Sequence, residues 1–428
     1  MLNCTKKWIA LLLSACCLTT ALTGCVSFRP APGVGRDTTP SDLTDVTDAD
    51  TAGTGAPDST DIGTDSSAPD TTEPPETTPP PPSESRVSVL AVGDNLIHES
   101  VYLDAKKRAA DGAEYDFVPM YAPIADTVAA ADIAFINQET PMAGKEYGYS
   151  GYPTFNSPRE VAEALVEVGF DVVNLATNHL FDKHNAGAQA TVEYMQSLPV
   201  TTIGAYLNQE DYENIRVTEV NGIRIAWVSF SQKSNYAYNP AQHSVIMPMM
   251  NNDEAIRARV KAADQIADFV IVSAHWGEEV AEIYPETRRL ASLIAEAGAD
   301  VILGHHSHIL QGVEWITTAD GSRTLVAYSL GNFISTQYYA QNMVGGMLAF
   351  DIVMKDGVCR IESPILHPTV TQYSLNRDSL EVYLLEDYTE ALAKAHGTIY
   401  HSPSFSLAWI YKHVTSIITD EFLPAYFE

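Results

Sequence analysis

The sequence predicts an α/β fold, and three observations predict it. Short apolar runs recur after residue 86, segments with helical spacing separate them, and most runs stop at Gly, Asp, Asn, Glu or His. Open α/β sheets place their ligands at such carboxyl strand ends. The fullest example is Val301-Ile302-Leu303, a buried strand in outline, which runs into Gly304-His305-His306-Ser307-His308. Neutral imidazole is a common metal ligand, and His306 and His308 can converge if the backbone bends after the strand.

The 428 residues suffice for one large domain or two ordinary ones, but the N-terminus belongs to neither. Lys6 and Lys7 precede the apolar run Trp8 to Leu18, and Leu22-Thr23-Gly24-Cys25 follows. That order is a charged start, an apolar centre too short for a comfortable span, and a small-residue cleavage region. The last four residues resemble the lipobox of bacterial lipoproteins. The resemblance implies a signal peptide over 1–24, a lipid on Cys25, and anchorage at the extracytoplasmic face of the cell membrane. Residues 25–85 are rich in Thr, Asp, Ser and Pro. Between Val26 and Ser85 there are 12 acidic residues against Arg29 and Arg36. So little apolar surface cannot offset ordering entropy, and the segment reads as a disordered, extended acidic tether. The net charge of −30 argues against nucleic acid as a partner and against a polybasic membrane contact. With Cys4, Cys16 and Cys17 in the removed segment and Cys25 lipidated, Cys359 is left alone and no intramolecular disulfide is expected.

The folded part starts at Arg86, and each predicted strand delivers a polar group. Val87 to Val92 ends in Gly93-Asp94, with His98 close behind. A helical pattern over Tyr121 to Ala131 leads to the strand Ile133 to Ile136, which ends in Asn137-Gln138-Glu139. The amphipathic helix Pro158 to Val168 precedes the strand Asp171 to Leu175 and then Thr177-Asn178-His179, with Asp182 three residues on. There Asn178 can ligate a metal while His179 acts as an acid oriented by Asp182, or both can simply cap the next helix. His184 is assigned to the solvated start of that helix.

A strand near Thr201 to Ile203, a turn at Asn221-Gly222 and the strand Ile223 to Phe230 follow. Ser231 to Met250 has no period and reads as a substrate loop. The helix Asp253 to Ala267 leads to the strand Phe269 to Ser273 and then to His275-Trp276-Gly277. The helix Pro285 to Ala297 precedes the histidine cluster, and Leu325 to Phe333 reads as a strand and glycine turn beside it. A closing hairpin over Gly345 to Leu366 and helices over Ser379 to Ala395 and Phe405 to Ile418 complete the chain. Five of the 12 histidines therefore fall at strand ends together with Asp94, Glu139 and Asn178. Mixed oxygen and imidazole donors suit a two-metal site for Mn, Zn or Fe.

The ordered motifs Gly93-Asp94, Asn137 to Pro141, Asn178-His179 with Asp182, His275-Trp276-Gly277, Gly304 to His308 and Tyr328 to Phe333 resemble the CapA family of capsule, or poly-γ-glutamate, synthesis proteins. That family is similar to the calcineurin-like metallophosphoesterases, which implies a four-layer α/β/β/α sandwich over 86–336; the closing hairpin and C-terminal helices of 337–428 are expected to pack on it. By the resemblance, Asp94, Glu139 and His308 hold one divalent ion, Glu139, Asn178, His275 and His306 hold a second, and His179 protonates a leaving group. The chain departs from the metallophosphoesterase pattern at Leu96, where a histidine is usual, at Glu139 in place of an aspartate, and at Ser307 in place of a proline. His98 and His305 are carried as further ligands or neighbours of ligands. Two function classes follow: a surface metallohydrolase or transferase acting on phosphoester or polyglutamyl bonds, and a non-catalytic scaffold or export component of a membrane capsule-synthesis complex. Either has a capsule or cell-envelope polymer as its partner.

Overall fold

The computed structural model describes residues 84–427, so the expected signal peptide, Cys25 and the tether as far as residue 83 lie outside the described residues, and the first strand begins at Ser85, one residue before the expected start. Among the described residues, fourteen strands form two sheets. The chain first lays down β1 (Ser85–Asn95), β2 (Ile133–Gln138), β3 (Val172–Asn174) and β4 (Thr201–Ile203), parallel and side by side. It then builds a second sheet from β5 (Arg216–Val220), β6 (Ile223–Ser231), β7 (Phe269–His275), β8 (Val301–His305), β9 (Val313–Thr317) and β10 (Arg323–Ala327), in the order β5-β6-β7-β8-β10-β9. Finally it returns to the first sheet with β11 (Asn332–Ile334), β12 (Val344–Lys355), β13 (Val358–Gln372) and β14 (Glu381–Leu384). The closing hairpin expected after residue 337 is β12–β13, and it lies beside β1 in the interior of the first sheet.

Side-chain alternation shows how the layers stack. On β6, Ile223, Ile225 and Trp227 join the core shared with the first sheet, whereas Ala226, Val228 and Phe230 join a second core. The same period-2 split separates Phe269 and Ile271 from Val270 and Val272 on β7, and Val301 and Leu303 from Ile302 on β8. The second core is closed by Ile256, Val260 and Ala263 of the helix Asp253–Asp264 and by Leu290, Leu293 and Ile294 of the helix Pro285–Ala295. Between the sheets, Phe135 of β2 stacks on Trp227 of β6 with ring centroids 5.8 Å apart. The helices Glu160–Val168 and His184–Gln196 bury Val161, Leu165, Val168, Val192 and Met195 in the core of the first sheet. The result is the four-layer α/β/β/α sandwich.

Two local expectations are corrected, and one helix is added. The helix expected over Tyr121 to Ala131 is broken into Val118–Tyr121, a 3₁₀ turn Ala122–Ile124 and Ala125–Ala129, because Pro123 lacks the N–H that a continuous helix would use. The helix expected over Ser379 to Ala395 is instead β14 followed by a short helix Glu390–Ala395: Val382 and Leu384 alternate inward while the strand pairs with β13. The helix Glu99–Arg108 was not expected at all. Among the described residues no helix is long and apolar enough to cross a membrane.

Candidate metal centre

All the singled-out strand ends meet at one edge of the sandwich. Asp94 lies near the end of β1, Glu139 just past β2, Asn178 and His179 in the turn after β3, His275 at the end of β7, and His305 to His308 at and beyond the end of β8. Two glycines permit the approach. A Cβ on Gly93 would fall 1.9 Å from the Gly331 carbonyl oxygen, and one on Gly304 would fall 2.0 Å from that of Tyr328. With Gly93 in place, the Asp94 N–H donates to the Gly331 oxygen at 2.8 Å. Past β8 the backbone does bend: His306 (φ 88°) and His308 (φ 58°) adopt left-handed conformations. Such backbone at a non-glycine residue costs about 1–3 kcal/mol and persists where surrounding structure imposes it.

Two groups of ligand atoms result, each with its members within 4.8 Å of one another: Asp94, Glu139 and His308, and Glu139, His275 and His306. Glu139 belongs to both. Asn178 joins the second group through its Oδ1, 2.9 Å from His275 Nε2. His308 presents Nδ1 to Asp94 Oδ2 at 3.0 Å and to Asn332 Oδ1 at 3.1 Å, with Nε2 3.5 Å from Glu139 Oε1. His305 enters neither group. Its Nδ1 stands 3.5 Å from Asp94 Oδ1 and its ring stacks on Phe135. His98 also stays outside both, its Nδ1 accepting from the Thr336 N–H at 3.4 Å.

The electrostatics push the two carboxylates apart. Burial alone would raise Asp94, yet the adjacent His305 imidazole and the hydrogen-bonded His308 imidazole hold its carboxyl far below the usual range. Glu139 has no such donor, so burial holds it well above the usual range. Burial would lower His308, but the Glu139 and Asp94 carboxyls push it up to about 10. Burial, then the neighbouring imidazoles, depress His275 well below its usual value and His306 to about 3, which leaves both rings neutral with lone pairs available.

The donor set tests well against a divalent ion. Both oxygens of Glu139 and the Nδ1 atoms of His275 and His306 are buried without a hydrogen-bond partner, a condition that costs about 1–3 kcal/mol per group. Carboxylates, imidazoles and an amide oxygen converging on one point are what a first-row divalent metal takes.

Beside this centre, His179 donates Nδ1–H to Asp182 Oδ2 at 2.7 Å, and the same oxygen accepts from the Phe155 N–H at 2.7 Å. The Phe155 ring meets the imidazole edge-on at 4.7 Å. Sequence reasoning missed the amides that hold the ligands. Asn137 donates to Asp94 Oδ1 at 2.8 Å, and Asn174 and Ser229 extend that chain of buried hydrogen bonds. Asn332 and Asn342 both donate to the His308 carbonyl. Asn137 and Asn332 stood inside recognised motifs, so position was a signal and role was not.

The family profile described as "Bacterial capsule synthesis protein PGA_cap" matches residues 88–337. The chain belongs to this capsule synthesis family. It is similar to a "Capsule biosynthesis protein CapA" of Bacillus anthracis, 31% identical over 201 residues, 46% of this chain and 48% of that protein. It thus spans about half the length of that relative. It is also similar to a "PGA biosynthesis protein CapA" of Bacillus subtilis (strain 168), 26% identical over 313 residues, 70% of this chain and 76% of that protein. Among solved structures, an NAD nucleotidase of Haemophilus influenzae is 14% identical with a TM-score of 0.39, covering 78% of this chain and 60% of that one. Every residue of the two ligand groups lies inside the PGA_cap match.

Proposed function

We propose that this PGA_cap protein acts in the biosynthesis of a capsule polymer, held at the outer face of the cell membrane through lipid on Cys25, and that it hydrolyses or transfers at a phosphoester or polyglutamyl bond with two divalent ions. The observation that supports the chemistry most directly is Glu139, a buried carboxylate shared by two ligand groups with neither oxygen hydrogen-bonded. Divalent ions held by Asp94, Glu139 and His308 and by Glu139, Asn178, His275 and His306 would stabilise developing negative charge and acidify a water.

The remaining steps belong to side chains. Asp182 fixes the proton on His179 Nδ1 and, with the Phe155 ring, fixes the plane of the imidazole. Nε2 has no protein partner among the described residues, so it is the atom that delivers a proton to the leaving group. Asp94, kept ionised by His305 and His308, supplies permanent negative charge at the first ligand group.

The test is metal content of the purified protein followed by hydrolysis of a generic phosphodiester and of a γ-glutamyl oligomer. Two bound ions and turnover of either substrate are expected. Two ions with turnover of neither would favour a scaffold in the capsule-synthesis complex, and no ions would remove the basis of the proposal.

A further inference from the structure

Between β6 and the helix Asp253–Asp264 the chain crosses the site, and the first residues of the crossing fasten to both sheets. Gln232 donates its N–H to the His275 carbonyl at 2.8 Å and accepts the Gly277 N–H on Oε1 at 2.8 Å. Three residues on, Asn235 donates its N–H to the Asn178 carbonyl at 2.9 Å, and its Oδ1 accepts from Asn178 Nδ2 at 3.2 Å. Its own Nδ2 lies 3.2 Å from His179 Nδ1.

A primary amide has two ends of opposite character, and only the oxygen end can approach a cation. Which end of Asn178 faces His275 is therefore decided by what the other end meets. Among the described residues, the side-chain partner of Asn178 Nδ2 is Asn235 Oδ1. We propose that Asn235 is a positioning residue which, by accepting from Asn178 Nδ2, holds Asn178 Oδ1 toward His275 and the second ligand group. This rests on reading the site as a metal centre. Asn178 is buried whereas Asn235 is exposed at the rim, so replacing Asn235 removes a hydrogen bond and opens no core.

The inference concerns one ion and not the other. An amide free to turn would aim its N–H₂ at His275 Nε2, weakening binding at the group with Glu139, His275 and His306 by about 10- to 100-fold, the usual effect of losing a group that orients a ligand. Among the described residues Asn178 makes no side-chain hydrogen bond to Asp94, Glu139 or His308, and that group should keep its affinity.

The experiment titrates Mn²⁺ into the metal-stripped, full-length protein by calorimetry, with bound metal counted by mass spectrometry. Asn235→Leu keeps the branched heavy-atom skeleton and removes the acceptor, Asn235→Asp keeps an acceptor, and Asn178→Asp has an oxygen at both ends and needs no orienting. The expected result is two ions in wild type, selective weakening of one in Asn235→Leu, and none in Asn235→Asp. In the Asn178→Asp background, adding Asn235→Leu should change nothing. Unchanged affinities in Asn235→Leu would overturn the inference, as would weakening in Asn235→Asp or equal weakening in both backgrounds. Wild type that binds no Mn²⁺ overturns the metal reading itself, an outcome distinct from two-ion wild type with an indifferent Asn235.

Discussion

Glu139→Gln should uncouple metal binding from stability. The side chain is fully buried and neither oxygen has a hydrogen-bond partner, so the substitution keeps volume and one oxygen while removing the charge common to both ligand groups. For wild type, an ion at 1,000 times its Kd should stabilise the fold by about 4.1 kcal/mol. Taking about 2.1 cal/mol/K of unfolding entropy per residue over roughly 340 residues, that free energy corresponds to a rise in Tm of about 6 °C. Scanning calorimetry with EDTA and then with Mn²⁺ measures it directly. Glu139→Gln should show little of the rise and, in EDTA, should melt no lower than wild type, because it no longer buries an uncompensated carboxyl. A variant that kept the full rise would refute the shared-carboxylate reasoning.

Other outcomes follow from the same geometry and from the sequence. His179→Gln should keep both ions and lose about 10²- to 10⁴-fold in turnover, the span for a positioned acid, and loss of metal with activity would make His179 a ligand instead. Cys25→Ala should move the protein from the membrane fraction to the soluble fraction, and persistent membrane association would contradict lipid anchorage. Asp300, whose Oδ2 accepts from the Val270 N–H, is pushed up to about 7 by burial and then by the Asp264 charge. A folded-state value above the unfolded one means the native state binds the proton more tightly, so this contribution is present below about pH 4 and is lost as pH rises toward 7. Discounted for partial exposure, Asp300→Asn should gain about 2 kcal/mol over wild type at pH 8 and nothing at pH 4, checked by urea unfolding at both.

Much of the site could be read before the fold because its ligands sit where apolar runs stop. Val301 to Leu303 followed by three histidines, or Ile133 to Ile136 followed by Glu139, announces a strand end by composition alone. What could not be read depends on distance across the fold. Asn137, Asn332 and Asn235 are ordinary amides whose role is set by a partner 43, 24 and 57 positions away. The helix Glu99–Arg108 escaped because its buried set Val101, Tyr102, Asp104 and Ala105 includes an acid that caps the backbone at Ser379 and Leu380. At Glu381–Leu384, a four-residue segment offers too few turns of either period to separate strand from helix.

Each ligand group draws on both sheets: Asp94 and Glu139 come from the first, while His275, His306 and His308 come from the second. The width of the bite is therefore not a private property of the site, since it depends on the spacing of two layers between which side chains such as Phe135 and Trp227 are packed. A methylene added or removed on those inner faces changes how far apart the donors stand without touching any of them. Any preference such a site has for a smaller or larger ion would in this sense be written into the interior, and substitution at inward-facing β2 and β6 positions would be a way of retuning it.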